Sequence, residues 1–216
     1  MNESTYPYML TSGVKLIGIT GKAGAGKDTI ADYLYNTYKD YYYEPFAWGL
    51  KQAAKAAFCL EDANVTDREL KEQVNEFWGV SPRSILQFMG TEFFRDNAQK
   101  LLPGIGSDFW IKRMYGRLEG LLAEEDSGAY EPGDTIIIPD LRFQNEYDFI
   151  RKNGGIVIHV KRPEATGEVG ITGHASEAGF IFTSYPKGEN YEVINDGTIA
   201  DLHRKVANII ISATQF

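Results

Sequence analysis

The stretch that most constrains this chain is Gly21-Lys22-Ala23-Gly24-Ala25-Gly26-Lys27-Asp28-Thr29. It follows the apolar run Leu16-Ile17-Gly18-Ile19-Thr20 and precedes an amphipathic segment. The order is therefore strand, glycine-rich loop, Gly-Lys, helix. Glycines let successive backbone N–H groups turn into one concavity, a nest for anionic oxygens. The helix that follows adds its own unpaired N–H groups and about half a positive charge at its start. Lys27 supplies a full positive charge able to reach terminal phosphates of a polyphosphate. The complete G-x-x-x-x-G-K spacing sets the loop apart from a plain βα turn with a surface lysine. The next position normally carries Ser or Thr, but here it is Asp28, with Thr29 after it. A carboxylate beside a polyphosphate is repelled unless a cation lies between them. Asp28 thus points to a metal ion, with Thr29 as a nearby oxygen. A helix-start carboxylate that favours the dipole is the alternative, and both can hold.

With 216 residues the chain is expected to form one domain, with room for a mobile subdomain. The net charge of −8 argues against a nucleic-acid polymer as partner. It does not argue against nucleotides, because a pocket needs only local positive charge. The single cysteine, Cys59, excludes an internal disulfide framework and suits a reducing compartment. Its neighbours Phe58 and Leu60 predict a buried, inert thiol. No apolar run approaches the roughly 20 residues of a membrane span. Residues 1–13 lack a signal-peptide pattern and read as a polar tail sprinkled with aromatics. The consecutive Tyr41, Tyr42 and Tyr43 read as the start of a strand.

Ile30, Tyr33, Leu34 and Tyr38 recur at three- and four-residue steps, which predicts a helix from Asp28 to about Tyr38. A strand over 42–46 and an alanine-rich helix over 49–60 follow, with Lys51 in its first turn. Ser81-Pro82 is a helix start, with Ser as N-cap and Pro in the first turn. Ile85, Phe88, Met89 and Phe93 are expected to be its buried stripe. Gln87, Thr91 and Arg95 form the opposite stripe. That polar stripe suits solvent, or equally a base edge and a phosphate. A helix from Phe109 to about Glu124 carries Trp110, which either stacks on a base or fills the core. Residues 124–133 are acidic and turn-rich, a surface excursion.

Thr135-Ile136-Ile137-Ile138 reads as a strand buried on both faces. A helix over 144–152, a strand over 156–160, a charged Gly- and Thr-rich loop over 161–173, a strand over 192–194 and a helix over 199–211 complete the chain. Strands alternating with helices give an α/β doubly wound sheet. Such sheets bind ligands at the carboxyl ends of their strands. Asp140 ends one apolar strand, where a second metal-binding carboxylate belongs in this kind of fold. A helix N-cap is the alternative. Arg142 can pair with Asp140 or clamp a phosphate, and Glu146 can be its i,i+4 partner. Arg162 opens the charged loop, as a solvated residue or as a lid cation. His174-Ala175-Ser176-Glu177 has neither zinc-ligand spacing nor an oxyanion motif.

These motifs occur together in an order that carries a resemblance. The set comprises Gly21 to Thr29, Phe46-Ala47 with Leu50-Lys51, Pro82-Arg83 through Leu86-Gln87 to Gly90-Thr91-Glu92, and Asp140-Leu141-Arg142-Phe143 with Asn145-Glu146. It continues with Gly154-Gly155 and Val160, Arg162-Pro163, and His174-Ala175-Ser176-Glu177. From about Leu16 to the last helix the chain resembles the deoxynucleoside monophosphate kinases of tailed bacteriophages. In that family Lys-Asp after the loop is ordinary. Trp48-Gly49 departs from it, where relatives often carry an acidic residue and a proline.

The resemblance implies a P-loop kinase-like parallel sheet flanked by helices, with a helical acceptor-binding region (about 47–125) and a lid (about 162–178). The single kinase domain would span 14–216. It implies transfer of the γ-phosphoryl group of ATP to a deoxynucleoside monophosphate, with Mg²⁺. Lys27, Arg142 and Arg162 would be catalytic. Gly21 to Thr29 would bind the donor, and Asp196 with it, in the turn Asn195-Asp196-Gly197 that would lie beside the adenine as a backbone contact. Lys51, Arg83, Gln87, Arg95, Trp110, Asp140, Arg142 and Glu146 would bind the acceptor, and Asp28 and Asp140 the metal. It also makes a homodimer plausible, and a cytoplasmic site, that of the host if the gene is a phage's. The competing expectations are a kinase of another phosphorylated small molecule, of phosphomevalonate or dephospho-coenzyme A type, and a non-kinase ATPase module.

Overall fold

The computed structural model describes residues 6–122, 130–163 and 190–213. The elements run β1 (Lys15–Thr20), α1 (Lys27–Thr37), β2 (Tyr41–Tyr43), α2 (Ala47–Phe58), α3 (Asp62–Thr66), α4 (Pro82–Gln87) and a π-helical segment over Phe88–Asp96. After a short 3₁₀ turn come α5 (Phe109–Leu118), β3 (Thr135–Ile138), α6 (Gln144–Lys152), β4 (Ile156–Lys161), β5 (Asn190–Ile194) and α7 (Ile199–Ala213). Among the described residues no helix is long and apolar enough to cross a membrane.

The described residues divide into two compact units. One comprises 6–45, 111–122, 130–163 and 190–213, and the other comprises 46–110. The first unit holds the sheet, whose strands are all parallel and ordered β2-β3-β1-β4-β5. β1 lies at its centre because its apolar run is buried along its length from Leu16 onward. β3 is buried at every position, as a run of β-branched residues covered on both faces must be. Ile17, Ile19, Ile137, Ile158 and Val160 from the sheet meet Ile30 and Leu34 of α1 and Leu202, Val206 and Ile210 of α7. α6 packs on β1 and β4, burying Tyr147, Phe149 and Ile150. The parallel arrangement puts the carboxyl ends of β1, β3 and β4 side by side, and with them the loops at Gly21, Asp140 and Arg162.

The second unit has its own small core of Ala54, Leu60, Val65, Ile85 and Met89. Ser81 caps α4 as the sequence requires, its Oγ accepting from the Ser84 N–H at 3.2 Å. Two expectations fail here. The first concerns Cys59, which is exposed. It takes the left-handed position that ends α2, with φ +50°, so its side chain leaves the core and Leu60 enters instead. The second concerns the helix after Ser81. From Phe88 the backbone widens into π-helical turns, and Phe88 and Phe93 are 58% and 55% exposed. Gln87, Thr91 and Arg95, the stripe that could have faced solvent, are all buried. A change of hydrogen-bond register rotates residues relative to an α-helical wheel, so a stripe read at 3.6 residues per turn misplaces them.

The amino-terminal segment also differs from a loose tail. From Tyr6 on it is fastened to the first unit. The Leu10 N–H donates to Asn153 Oδ1 at 2.7 Å, and Asn153 Nδ2 donates to the Tyr8 carbonyl at 3.1 Å. Lys152 lies 4.2 Å from the centre of the Tyr6 ring. Glu119 accepts from the N–H groups of Thr11 and Ser12 and from the Thr11 hydroxyl. Burial alone would raise the Glu119 carboxyl, but these hydrogen bonds override it and hold it below the usual carboxylate range. A depressed folded-state pKa contributes stability above the unfolded value and loses it as pH falls through the folded one. Hydrogen exchange should therefore find the Thr11 and Ser12 amides protected at pH 7 and opened as pH falls below the usual carboxylate range. Glu119→Ala should open them at pH 7. Protection that survives the substitution would show that other contacts hold the segment.

Candidate active site

The loop after β1 is shaped by its neighbours as much as by its glycines. A Cβ on Gly21 would lie 2.4 Å from the carbonyl oxygen of Val160 at the adjacent strand end, so no other residue fits. Gly26 takes φ +108° as the N-cap of α1, and a Cβ there would meet Asn195 Nδ2 at 2.7 Å. No side chain caps α1, which leaves its start to a ligand as a helix N-terminus in such a loop can. Lys27 Nζ reaches back along the loop to the carbonyls of Gly21, at 2.9 Å, and Lys22, at 3.0 Å. Its ammonium is thus held over the concavity.

Around this loop lies a cavity of about 320 Å³, lined by Gly24, Gly26, Lys27, Asp28, Thr29, Arg162, Asn195 and Gly197 with Ile199 and Leu202. That volume is at the small end of ligand pockets. Arg162 stands just beyond β4 and brings a second cation to the same cavity as Lys27. The greater part of the lid expected over 162–178 lies outside the described residues.

Two carboxylates follow different strands of the sheet. Asp28 is exposed on the first turn of α1, and Asp140 is half-buried just past β3. Tyr43 ends β2, beside β3. Burial first, and then the charges of Asp28, Asp140 and Asp32, push its phenol far above the usual range. Asp140 is carried by a fixed turn. Leu141 donates its N–H to the Ile19 carbonyl at 3.3 Å, and the Thr20 hydroxyl donates to the Leu141 carbonyl at 3.0 Å. These bonds tie the Asp140–Arg142 turn to the strand that opens the phosphate loop. Among the described residues no three His, Cys, Asp or Glu side chains gather as a metal cage. Two carboxylates fit magnesium, which takes most of its ligands from phosphate and water.

Other expected residues take more specific places. Glu146 is buried, and its Oε2 accepts from the N–H groups of Arg142, at 2.8 Å, and Phe143, at 3.1 Å. It holds the turn that presents Arg142, which is itself exposed. Asp196 gives its carboxylate to Lys205 Nζ at 2.6 Å, and that hydrogen bond holds its carboxyl below the usual range. Its neighbour Asn195 is the residue that meets the loop, donating to the Ala25 carbonyl at 2.9 Å. Asn195 is the first residue after β5, at the strand end where ligands gather in such sheets.

In the second unit, Arg83 pairs with Glu72 through Nε, and its backbone N–H donates to Lys71. Arg95 is buried and Nη1 lies 3.5 Å from the Ser107 carbonyl. Trp110 is buried too, donating from Nε1 to the Gly90 carbonyl at 2.8 Å and packing edge-on against Phe94 and Phe109. Lys51 is half-buried on α2. Gln87, Thr91 and Arg95 are all buried.

Comparison with known proteins agrees with this geometry. Residues 60–206 match the family model for deoxynucleotide monophosphate kinase. A protein of Acanthamoeba polyphaga mimivirus, provisionally named deoxynucleotide monophosphate kinase, is 30% identical over 93% of this chain and 98% of its own. The deoxynucleotide monophosphate kinase of Enterobacteria phage T4 is 24% identical over 91% of this chain and 99% of its own. The family match begins after the phosphate loop, while the relatives cover nearly the whole chain. On the extent of both, the chain belongs to the deoxynucleotide monophosphate kinase family.

Proposed function

We propose that the chain transfers the γ-phosphoryl group of ATP to a deoxynucleoside monophosphate, giving ADP and the deoxynucleoside diphosphate. The observation that carries this reading is the loop cavity in which Lys27 and Arg162 face the uncapped start of α1. Family membership makes a nucleotide the phosphoryl donor, and the cavity's cations and amide dipoles suit a triphosphate. In the reaction the bond from γ-phosphorus to the β,γ-bridging oxygen breaks, and a bond to an acceptor phosphate oxygen forms. The acceptor oxygen is already anionic, so no proton has to be removed and no general base is required. The work left to the protein is positioning and charge neutralisation.

Lys27 holds the β- and γ-phosphates against the loop. Arg162 adds charge from the side of β4, and Arg142 from the turn that Glu146 fixes. Asp28 and Asp140 would hold Mg²⁺, which when bound neutralises phosphate charge. Lys51, Arg83, Gln87, Arg95 and Trp110 make up the acceptor-binding set. A coupled ADP-release assay with a panel of acceptors tests the reading. ADP release should require a deoxynucleoside monophosphate and stop when EDTA removes the magnesium. Release that ignores any monophosphate would make the chain an ATPase module. Release driven by phosphomevalonate or dephospho-coenzyme A would reassign the acceptor.

A further inference from the structure

Asn195 is fastened through both its backbone and its side chain. Its backbone N–H donates to the Lys161 carbonyl at 2.7 Å, one residue before Arg162. Its Nδ2 donates to the Ala25 carbonyl at 2.9 Å, inside the phosphate loop. Ala25 is buried, so water does not compete for that carbonyl. The turn is held from behind by Lys205 of α7, whose Nζ bonds the Ile194 carbonyl at 2.7 Å and Asp196 Oδ1 at 2.6 Å. A trans peptide points its C=O and the following N–H in opposite directions. The Ala25–Gly26 peptide is trans, so anchoring its carbonyl on Asn195 turns the Gly26 N–H away from β5. That N–H stands at the uncapped start of α1, where Gly26 and Lys27 line the cavity.

We infer that Asn195 is a positioning residue for the phosphoryl donor: its amide sets the Ala25–Gly26 peptide so that the Gly26 N–H meets the triphosphate. The same residue fixes the loop that carries Lys27 relative to the strand end that carries Arg162. The inference rests on ATP being the donor of the proposed kinase. Asn195 acts through the backbone and touches no reacting atom. This role is separate from a contact between the backbone of the turn and the base. Phosphoryl transfer depends on placement, and a misplacement of about 1 Å can cost about a hundredfold in rate. The chemistry of the side chain makes the idea testable. An ionised carboxylate of the same shape has no hydrogen to donate, whereas a protonated one has an O–H.

The experiment compares the unaltered chain with Asn195→Ala and Asn195→Asp. It measures kcat and KM with ATP, magnesium and whichever of dGMP, dTMP, dAMP and dCMP the unaltered chain uses fastest, from about pH 4.5 to about pH 8. Lys27, Asp28, Arg162, Asp196, Asp201 and Lys205 are the ionisable groups around this loop and turn. All are common to the three chains, so the ratio to the unaltered chain removes their titration. In Asn195→Ala kcat should fall roughly ten- to a hundredfold, with KM for the monophosphate unchanged and a ratio flat in pH. Asn195→Asp should fall further at the alkaline end, where its charge also repels the triphosphate. As pH falls into the carboxylate range its ratio should rise above that of Asn195→Ala. Relief of repulsion alone would bring it only to that level, and the excess measures the restored donor.

Unchanged kcat in Asn195→Ala with a lowered melting temperature would overturn the inference, since the tie would then serve the fold alone. So would an Asn195→Asp ratio that never exceeds that of Asn195→Ala. Should Asn195→Ala fail to fold, the pH profile of Asn195→Asp decides by itself, and a flat ratio overturns the inference. Turnover with none of the four monophosphates would overturn the kinase reading instead. Calorimetry with ATP and magnesium then still decides on Asn195. Affinity should fall roughly tenfold in Asn195→Ala, the loss of one well-placed donor, and equal affinity would overturn its role.

Discussion

Lys27→Ala should lower turnover on the order of a thousandfold while the melting profile stays close to that of the unaltered chain. The lysine is the fixed cation nearest the loop's concavity, its Nζ bonded to the carbonyls of Gly21 and Lys22. In phosphoryl transfer the protein supplies little besides placement and charge, so loss of a cation there is felt mainly in the transition state. The fold does not depend on it to the same degree. Lys27 is only half-buried and begins α1, where Ile30 and Leu34 provide the packing. The expected pattern is thus a collapse of kcat with native melting. Turnover near normal would remove Lys27 from the reaction. A large fall in melting temperature would mean that the lysine holds the loop together rather than a phosphate.

The parts of this molecule that could be read from its sequence are those in which a residue's role is set by its immediate neighbours. The phosphate loop is one, because the glycine spacing encodes a backbone path that few other sequences can take. Thr135–Ile138 and Gln144–Lys152 are others, where a continuous apolar run and a closing Asn-Gly-Gly mark the element without outside help. Arg162 lines the cavity because it follows β4 at the same sheet edge as the loop after β1. The rest depended on partners far along the chain. The side chain of Asp196 bonds Lys205 on the following helix, and it is the Asn195 side chain that meets the loop. Glu146 spends its carboxylate on backbone N–H groups, which no side-chain pattern announces. The π-helical turns after Phe88 leave no trace in composition, so of the stripe Ile85, Phe88, Met89 and Phe93 only Ile85 and Met89 reach the core, while Gln87, Thr91 and Arg95 are buried as well. The amino-terminal strap is fastened by Glu119 and Asn153, each more than a hundred residues away.

The largest loss of stability should follow from Arg117→Leu. Glu44 comes directly after β2 and is 8% exposed, and Arg117 Nη2 of α5 meets its Oε1 at 2.7 Å. Tyr130 donates its hydroxyl to the same oxygen, and the guanidinium lies 5.3 Å from the centre of the Tyr130 ring. Removing one member of a buried ion pair leaves the other charged and out of water, which typically costs about 3–5 kcal/mol. For a chain of this size each kcal/mol lowers the melting temperature by about 2–4 °C, so a fall of roughly 6–20 °C is expected. The Tyr130 hydroxyl remains to Glu44 and should keep the loss toward the lower end. Replacing both charges, Glu44→Leu with Arg117→Leu, should be less damaging than the sum of the two single changes, because no uncompensated charge is left. Scanning calorimetry on the two single variants and the double variant separates the outcomes. If the double variant loses as much as the two singles added together, Glu44 and Arg117 act independently and the buried pair is not what holds this corner of the sheet.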